Sequence, residues 1–201
     1  MNEIKEPIQK RAIEKRSQLI EAAKIVFNRI GYHNTHIKDI TSEAASSVGL
    51  FYKYFEDKND IYLKVLNILF EKEMEIARDF QTQIIEAEDK RKIIRNYIED
   101  RLSITAYKNI GEEFHVLSEK YEPIRSKKIL FRETYLNIFK EILMELWESP
   151  TETSLEVGSK LIRCMIYSNT IEIDNLKDKD LKDIYIDNLT DILYRIIVLN
   201  N

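Results

Sequence analysis

The sequence predicts an all-α protein of about nine helices. Three observations carry that prediction. Apolar residues recur at three- and four-residue spacing along most of the 201 residues. Four Gly and three Pro leave little material for turns. No segment shows the strict apolar–polar alternation of a strand bounded by turn residues, and no internal repeat or low-complexity tract is visible.

Composition narrows the class further. An apolar fraction of 44% with 33% charged residues is that of a soluble globular protein. No stretch approaches the roughly 18 uninterrupted apolar residues of a membrane span, and the first fourteen residues are charged throughout, without a signal-peptide core. A cytoplasmic protein is expected. Cys164 stands alone beside three scattered His, so neither an intrachain disulfide nor a Cys-based zinc site is available, and no metal or cofactor is expected. The net charge of −4 is unevenly divided: residues 1–58 carry +2, leaving −6 for the rest. The asymmetry is modest and by itself decides nothing, since charge runs usually mark a solvated face; its value is its agreement with the motif below.

The elements follow in order. Leu19, Ile20, Ala22, Ala23, Val26, Phe27 and Ile30 mark an amphipathic helix from about Gln9 to Ile30, closed by Gly31. Thr35 is expected to cap a second, short helix carrying Ile37, Ile40 and Ala44, and Ser47 a third that runs to about Tyr54. Asp57 begins a long helix with Ile61, Val65, Leu66, Leu69, Phe70, Ala77, Phe80 and Ile84 on its inner side. The pattern resumes at Ile94, Tyr97, Ile98 and Leu102, and Gly111 is expected to interrupt it. Pro123 suits the first turn of the next helix. Ser149, Pro150 and Glu152 are expected as N-cap, first-turn proline and capping-box acid of a helix to about Ile173, and a last helix follows the polar break 174–180.

Residues Thr35 to Phe55 have the layout of a helix-turn-helix: a short positioning helix, a tight turn and a second helix whose first residues can meet base edges in a major groove. Ile37, Ile40, Ala44 and Phe51 can share a small core with Ile20, Ala23 and Phe27. The run Gly31-Tyr32-x-x-Thr35-x-Ile37-x-Asp39-Ile40, then Ala44, Ser47-x-Gly49-x-Phe51-Tyr52-x-Tyr54-Phe55 and Lys58, resembles the signature of the TetR family of transcriptional regulators. Ile20-x-x-Ala23-x-x-x-Phe27 is similar to that family's first helix. The resemblance spans about fifty residues. It implies a DNA-binding domain over residues 1–58 and a helical effector-binding and dimerisation domain over 59–201.

On that reading Ser47, Val48 and Leu50 face bases, Val48 and Leu50 being suited to thymine methyl groups. Gly49 allows a close approach of backbone to phosphate. Thr35, Tyr52, Tyr54 and Lys58 are implied as phosphate contacts, with Lys38 and Lys53 on the same side and His36 and Ser46 at the margin. Three positions depart from the family's pattern. Ala45 stands at a turn position usually held by Gly, where a left-handed backbone costs alanine about 1 kcal/mol, and a distorted turn is expected. Ser46 replaces an apolar turn residue, and His36 a small hydroxyl residue.

The C-terminal part exceeds what is needed to present such a motif. The resemblance implies a homodimer through the last two helices, about 150–199, whose broad stripes Leu161, Ile162, Met165, Ile166 and Leu189, Ile192, Leu193, Ile196 suit a four-helix bundle. Tyr97, Arg101, Tyr107, Phe114, His115, Tyr121, Tyr135 and Tyr167 are candidates to line a pocket for a small-molecule effector. The expectation is a repressor released from a palindromic operator by that effector. An enzyme is not expected: Gly31, Gly49, Gly111 and Gly158 build no nucleotide loop, and GxSxG, HExxH and CxxC are absent. The alternative is a helical dimeric ligand-binding or interaction protein that has lost DNA binding through Ala45 and Ser46.

Overall fold

The computed structural model describes residues 5–105 and 107–199. Among them are nine helices and no strand: α1 (Lys5–Asn34), α2 (Ile37–Glu43), α3 (Val48–Tyr54), α4 (Lys58–Glu86), α5 (Lys90–Thr105), α6 (Lys108–Lys120), α7 (Glu122–Leu146), α8 (Glu152–Asn175) and α9 (Lys179–Ile197). The chain divides into two compact units, Met1–Leu69 with Tyr107–Arg125, and Phe70–Ala106 with Ser126–Asn201.

The first unit is built on α1. Leu19, Ala23, Val26 and Phe27 are fully buried on one face, against which Ile40 of α2, Phe51 of α3, Ile61 and Tyr62 of α4, and Ile110 and Leu117 of α6 complete the core. Gly31 departs from helical geometry (φ 81°, ψ 161°), so regular α1 ends where the sequence predicts. The second unit has its own core from α4, α5, α7, α8 and α9, including Phe80, Ile84, Ile98, Phe139, Ile142, Ile162, Ile166, Leu193 and Ile197. Helix α8 approaches closely at Gly158, where an added Cβ would lie 2.5 Å from Trp147 Cη2 and 2.7 Å from Leu143 Cδ1. Along the surface, Arg91 reaches Asp191 (2.7 Å) and Arg95 reaches Asp187 (2.5 Å), tying α5 to α9.

Several local expectations are corrected. Thr35 does not cap α2. Its hydroxyl donates back to the Gly31 carbonyl (2.6 Å), and the N-cap is His36, whose backbone N–H is met by the Asp39 carboxylate (2.7 Å). Ser149 adopts φ 50°, which an N-cap's extended backbone excludes. Helix α8 starts instead after Thr151, with Thr151 Oγ1 accepting from Ser154 N–H (3.1 Å) and Ser154 Oγ from Thr151 N–H (2.9 Å). Gly111 interrupts nothing, since α6 runs through it and the break falls before Lys108.

Candidate nucleic-acid interface

The turn between α2 and α3 is regular. Ala45 takes φ 45°, Ser46 N–H donates to Thr41 C=O (2.8 Å) and Ala45 N–H to Ser42 C=O (3.1 Å). That pair of bonds is a Schellman motif with alanine where glycine is usual, so the expected distortion does not occur and the left-handed backbone is borne by Ala45. The Ser46 hydroxyl is buried without a hydrogen-bond partner among the described residues. Ser47 then caps α3, its Oγ accepting from Leu50 N–H (3.1 Å).

This turn fixes what α3 presents. Phe51 and Phe55 point inward and are buried, while Ser47, Gly49, Tyr52 and Lys53 are exposed, Tyr52 by 57%. Val48, Leu50 and Tyr54 are half-buried beside them. His36 and Lys38 are exposed at the start of α2. A Cβ built at Gly49 would meet nothing within 4 Å among the described residues, so none of them requires a glycine there. The backbone at the start of α3 is bare toward solvent.

Two of the implied phosphate contacts are placed differently. Thr35 is buried, 1% exposed, with its hydroxyl turned to Gly31. Lys58 is half-buried, and its Nζ donates to the carbonyl oxygens of Tyr32 (2.7 Å) and Thr35 (2.8 Å) while lying 4.2 Å from the Tyr32 ring centroid. Burial lowers the Lys58 pKa, against the opposing pull of Glu113. Both residues are thus engaged in fastening α1 to the segment that leads into α2.

The same junction holds a carboxylate that the sequence reading missed. Glu113 of α6 accepts from the backbone N–H groups of Tyr32 and, at 3.5 Å, of His33. Gly31 takes φ 81°, which requires a glycine, and a Cβ there would lie 2.7 Å from Glu113 Oε1 and push that carboxylate aside. The Tyr32 hydroxyl donates to Asn59 Oδ1 (2.5 Å), and Tyr62 donates to the Ile110 carbonyl (2.9 Å). Burial pushes the Tyr32 phenol up to about 12 and holds the Tyr62 phenol still more strongly neutral. An Arg29–Glu43 ion pair (2.9 Å) ties α1 to α2, and the Arg16 guanidinium lies 5.5 Å from the Phe55 ring. Helix α3 is therefore displayed from a frame locked from behind.

Of the candidate effector residues, three are brought together in the second unit. The Tyr97 and Tyr135 hydroxyls share a hydrogen bond (2.5 Å), and Arg101 Nη1 reaches both Tyr135 Oη (3.0 Å) and Glu73 Oε1 (2.7 Å). Burial raises the pKa of both phenols. Glu73 was not anticipated, although it falls within the inward stripe of α4 between Phe70 and Ala77, where an acid is out of pattern. Tyr107, Phe114, His115 and Tyr121 belong to the first unit, with the Lys24 ammonium over the Tyr107 ring (5.3 Å). Tyr167 is exposed on α8. Among the described residues no group of three or more His, Cys, Asp or Glu could hold a metal, and no helix is long and apolar enough to cross a membrane.

Residues 19–65 match the family model described as bacterial regulatory proteins, tetR family. The HTH-type transcriptional regulator HbdR of Aromatoleum sp. (strain CIB) is 45% identical over 69 residues, 34% of this chain and 30% of that protein. The matched segment spans about a third of the length of the curated relatives. Among solved structures, a TetR-family transcriptional regulator from Streptomyces coelicolor superposes with a TM-score of 0.72 at 14% identity, covering 92% of this chain and 96% of that one. A transcriptional regulator from Saccharomonospora viridis, crystallised with choline, gives 0.69 at 22% identity over 92% and 98% of the two chains. Residues 19–65 thus resemble the tetR family of bacterial regulatory proteins, and the described residues share the all-α fold of solved regulators of that family.

Proposed function

We propose that the chain is a sequence-specific transcriptional regulator that binds a palindromic operator as a homodimer and is released from it, as a repressor, by a small molecule. The observation that carries this reading is the bare N-terminal end of α3. Gly49 has no packing role in the chain, yet it stands between Ser47, Val48 and Leu50, which face the groove, and Tyr52, Lys53 and Tyr54, which reach phosphates together with His36 and Lys38. Residues 1–58 serve as the DNA-binding domain and 59–201 as the effector-binding and dimerisation domain, acting in the cytoplasm without enzymatic chemistry.

Dimerisation uses the outward faces of α8 and α9. Ile162, Ile166, Leu189 and Leu193 are buried in the chain's own core, so the interface falls to the exposed residues Val157 and Leu161 on α8 and Leu181, Ile184 and Ile192 on α9. Two-fold pairing sets two copies of α3 about one DNA turn, roughly 34 Å, apart. The choline of the Saccharomonospora protein is not carried over, because the Arg101 guanidinium already lies 5.6 Å from the Tyr135 ring where a cationic ligand would stack.

The test is a titration of operator DNA against salt. Wild type should show a steep log–log dependence, and Lys53→Ala should shallow the slope by about 0.9, one released counterion. A salt-independent interaction, or none, would favour a helical ligand-binding protein without DNA activity.

A further inference from the structure

We propose that Arg101 is the receptor for the carboxylate of an effector with an aromatic or other apolar body, and that Glu73 competes with that carboxylate for the guanidinium. The inference rests on the effector-controlled reading above and gives that effector its chemistry.

Arg101 is 6% exposed, and its Nη1 meets Glu73 Oε1 at 2.7 Å and Tyr135 Oη at 3.0 Å. Its Nε is buried and has no hydrogen-bond partner among the described residues. A guanidinium presents a planar fork of donors suited to a bidentate carboxylate, and here its Nε is left without an acceptor among the described residues. A buried charged donor without an acceptor is costly, so its persistence points to an acceptor that arrives from outside.

Counting protons on the phenols gives the same sign independently. Tyr97 and Tyr135 hold two hydroxyl protons and share one hydrogen bond of 2.5 Å, while Tyr135 Oη also accepts from Arg101. Whichever phenol donates, the other's proton has no acceptor among the described residues. The cluster has two donors in excess, which selects an anionic, acceptor-rich group over a cation or a donor.

Glu73 is the exchangeable member. Its side chain is 12% exposed, against 6% for Arg101, so it stands nearer the rim and can turn into water as an incoming carboxylate takes the guanidinium, leaving the buried charge neutralised. Aromatic rings pack on the two phenols beside the guanidinium, which favours an apolar or aromatic body for the ligand. Phe131 and Phe139 lie 5.9 and 5.1 Å from Tyr135, and Phe80 stacks on Tyr97 at 4.3 Å. Glu73 belongs to α4, the helix that directly follows the helix-turn-helix in the chain, so expelling it changes what holds that helix.

The experiment uses the full chain, with benzoate, 3-phenylpropionate and octanoate as probes, each paired with its primary amide at matched ionic strength. Binding is read by calorimetric titration and by the shift in Tm, in wild type and in Glu73→Gln. At least one acid should bind saturably where its amide does not. Glu73→Gln, which removes the competing carboxylate, should bind that acid about tenfold more tightly. Equal behaviour of every acid and its amide in both proteins would overturn the proposal, and the wild-type comparison alone decides it should Glu73→Gln fail to fold. Operator binding is measured on the same samples. An acid that binds a chain without operator affinity leaves the carboxylate site standing and removes the regulator reading; operator affinity with no acid preference does the reverse.

Discussion

The Nζ of Lys58 donates to the carbonyl oxygens of Tyr32 (2.7 Å) and Thr35 (2.8 Å), bridging the end of α1 and the residues that enter α2. In an exposed helix-turn-helix a lysine at this place would be free for phosphate. Here two of its three donors hold the frame, and that changes what its removal does.

Lys58→Met should therefore lower folding stability by about 1–3 kcal/mol, the range for losing hydrogen bonds from a charged group. Lys53→Ala, on the exposed face of α3, should change stability by less than about 0.5 kcal/mol. Urea unfolding of the two variants checks this, and equal midpoints would show that Lys58 is an ordinary surface residue.

Ala45 bears φ 45° in an otherwise complete Schellman turn. Ala45→Gly should raise stability by about 0.5–1 kcal/mol, the relief of a left-handed alanine less the added freedom of glycine in the unfolded chain. A fall in denaturation midpoint would mean that the turn is held differently in solution.

Gly158→Ala should do the opposite in the second unit. Its Cβ would meet Trp147 and Leu143, and Trp147 cannot swing aside because its Nε1 donates to the Ile196 and Ile197 carbonyls, both at 3.2 Å. A loss of about 1–3 kcal/mol is expected from overpacking, read as a lower Tm with helical content retained.

Alkaline titration addresses the buried phenols. The Tyr32 pKa is raised from 10.0 to about 12 by burial, and those of Tyr62, Tyr97 and Tyr135 are raised by the same cause. A phenol with a raised folded-state pKa contributes stability that is complete below about pH 10 and is lost as pH climbs through the folded value. Absorbance of tyrosinate should therefore show these four phenols ionising only as the chain unfolds. A single transition near pH 10 for all eleven tyrosines would contradict their placement.

Much of this arrangement was legible in the sequence, because the relevant signals are local. The 3.6-residue spacing of Leu19, Ala23, Val26 and Phe27 names the face of α1 that is buried, and Ser47 ahead of Val48 and Gly49 gives the cap and the bare start of α3. Ala45 was recognisable as a glycine position, though not that it would adopt the glycine's conformation intact. Caps beside proline were misplaced, since Ser149 and Thr151 both have the right chemistry and only the backbone of Ser149 excludes it. What the sequence concealed is pairing at a distance. Nothing local says that Glu113 will accept from Tyr32, eighty-one positions away, or that Glu73 will face Arg101. The only hint is an acid in an apolar stripe.

The central claim, site-specific recognition of DNA by α3, is tested most directly by selecting bound sequences from random duplex DNA with the purified full chain and sequencing them, in parallel with Gly49→Ala. The account predicts an enriched palindrome with half-sites about one helical turn apart. Gly49→Ala should fold at least as stably as wild type, since its Cβ enters open space, and should lose most of the enrichment. No enriched site with wild type, or an identical one with Gly49→Ala, would contradict it.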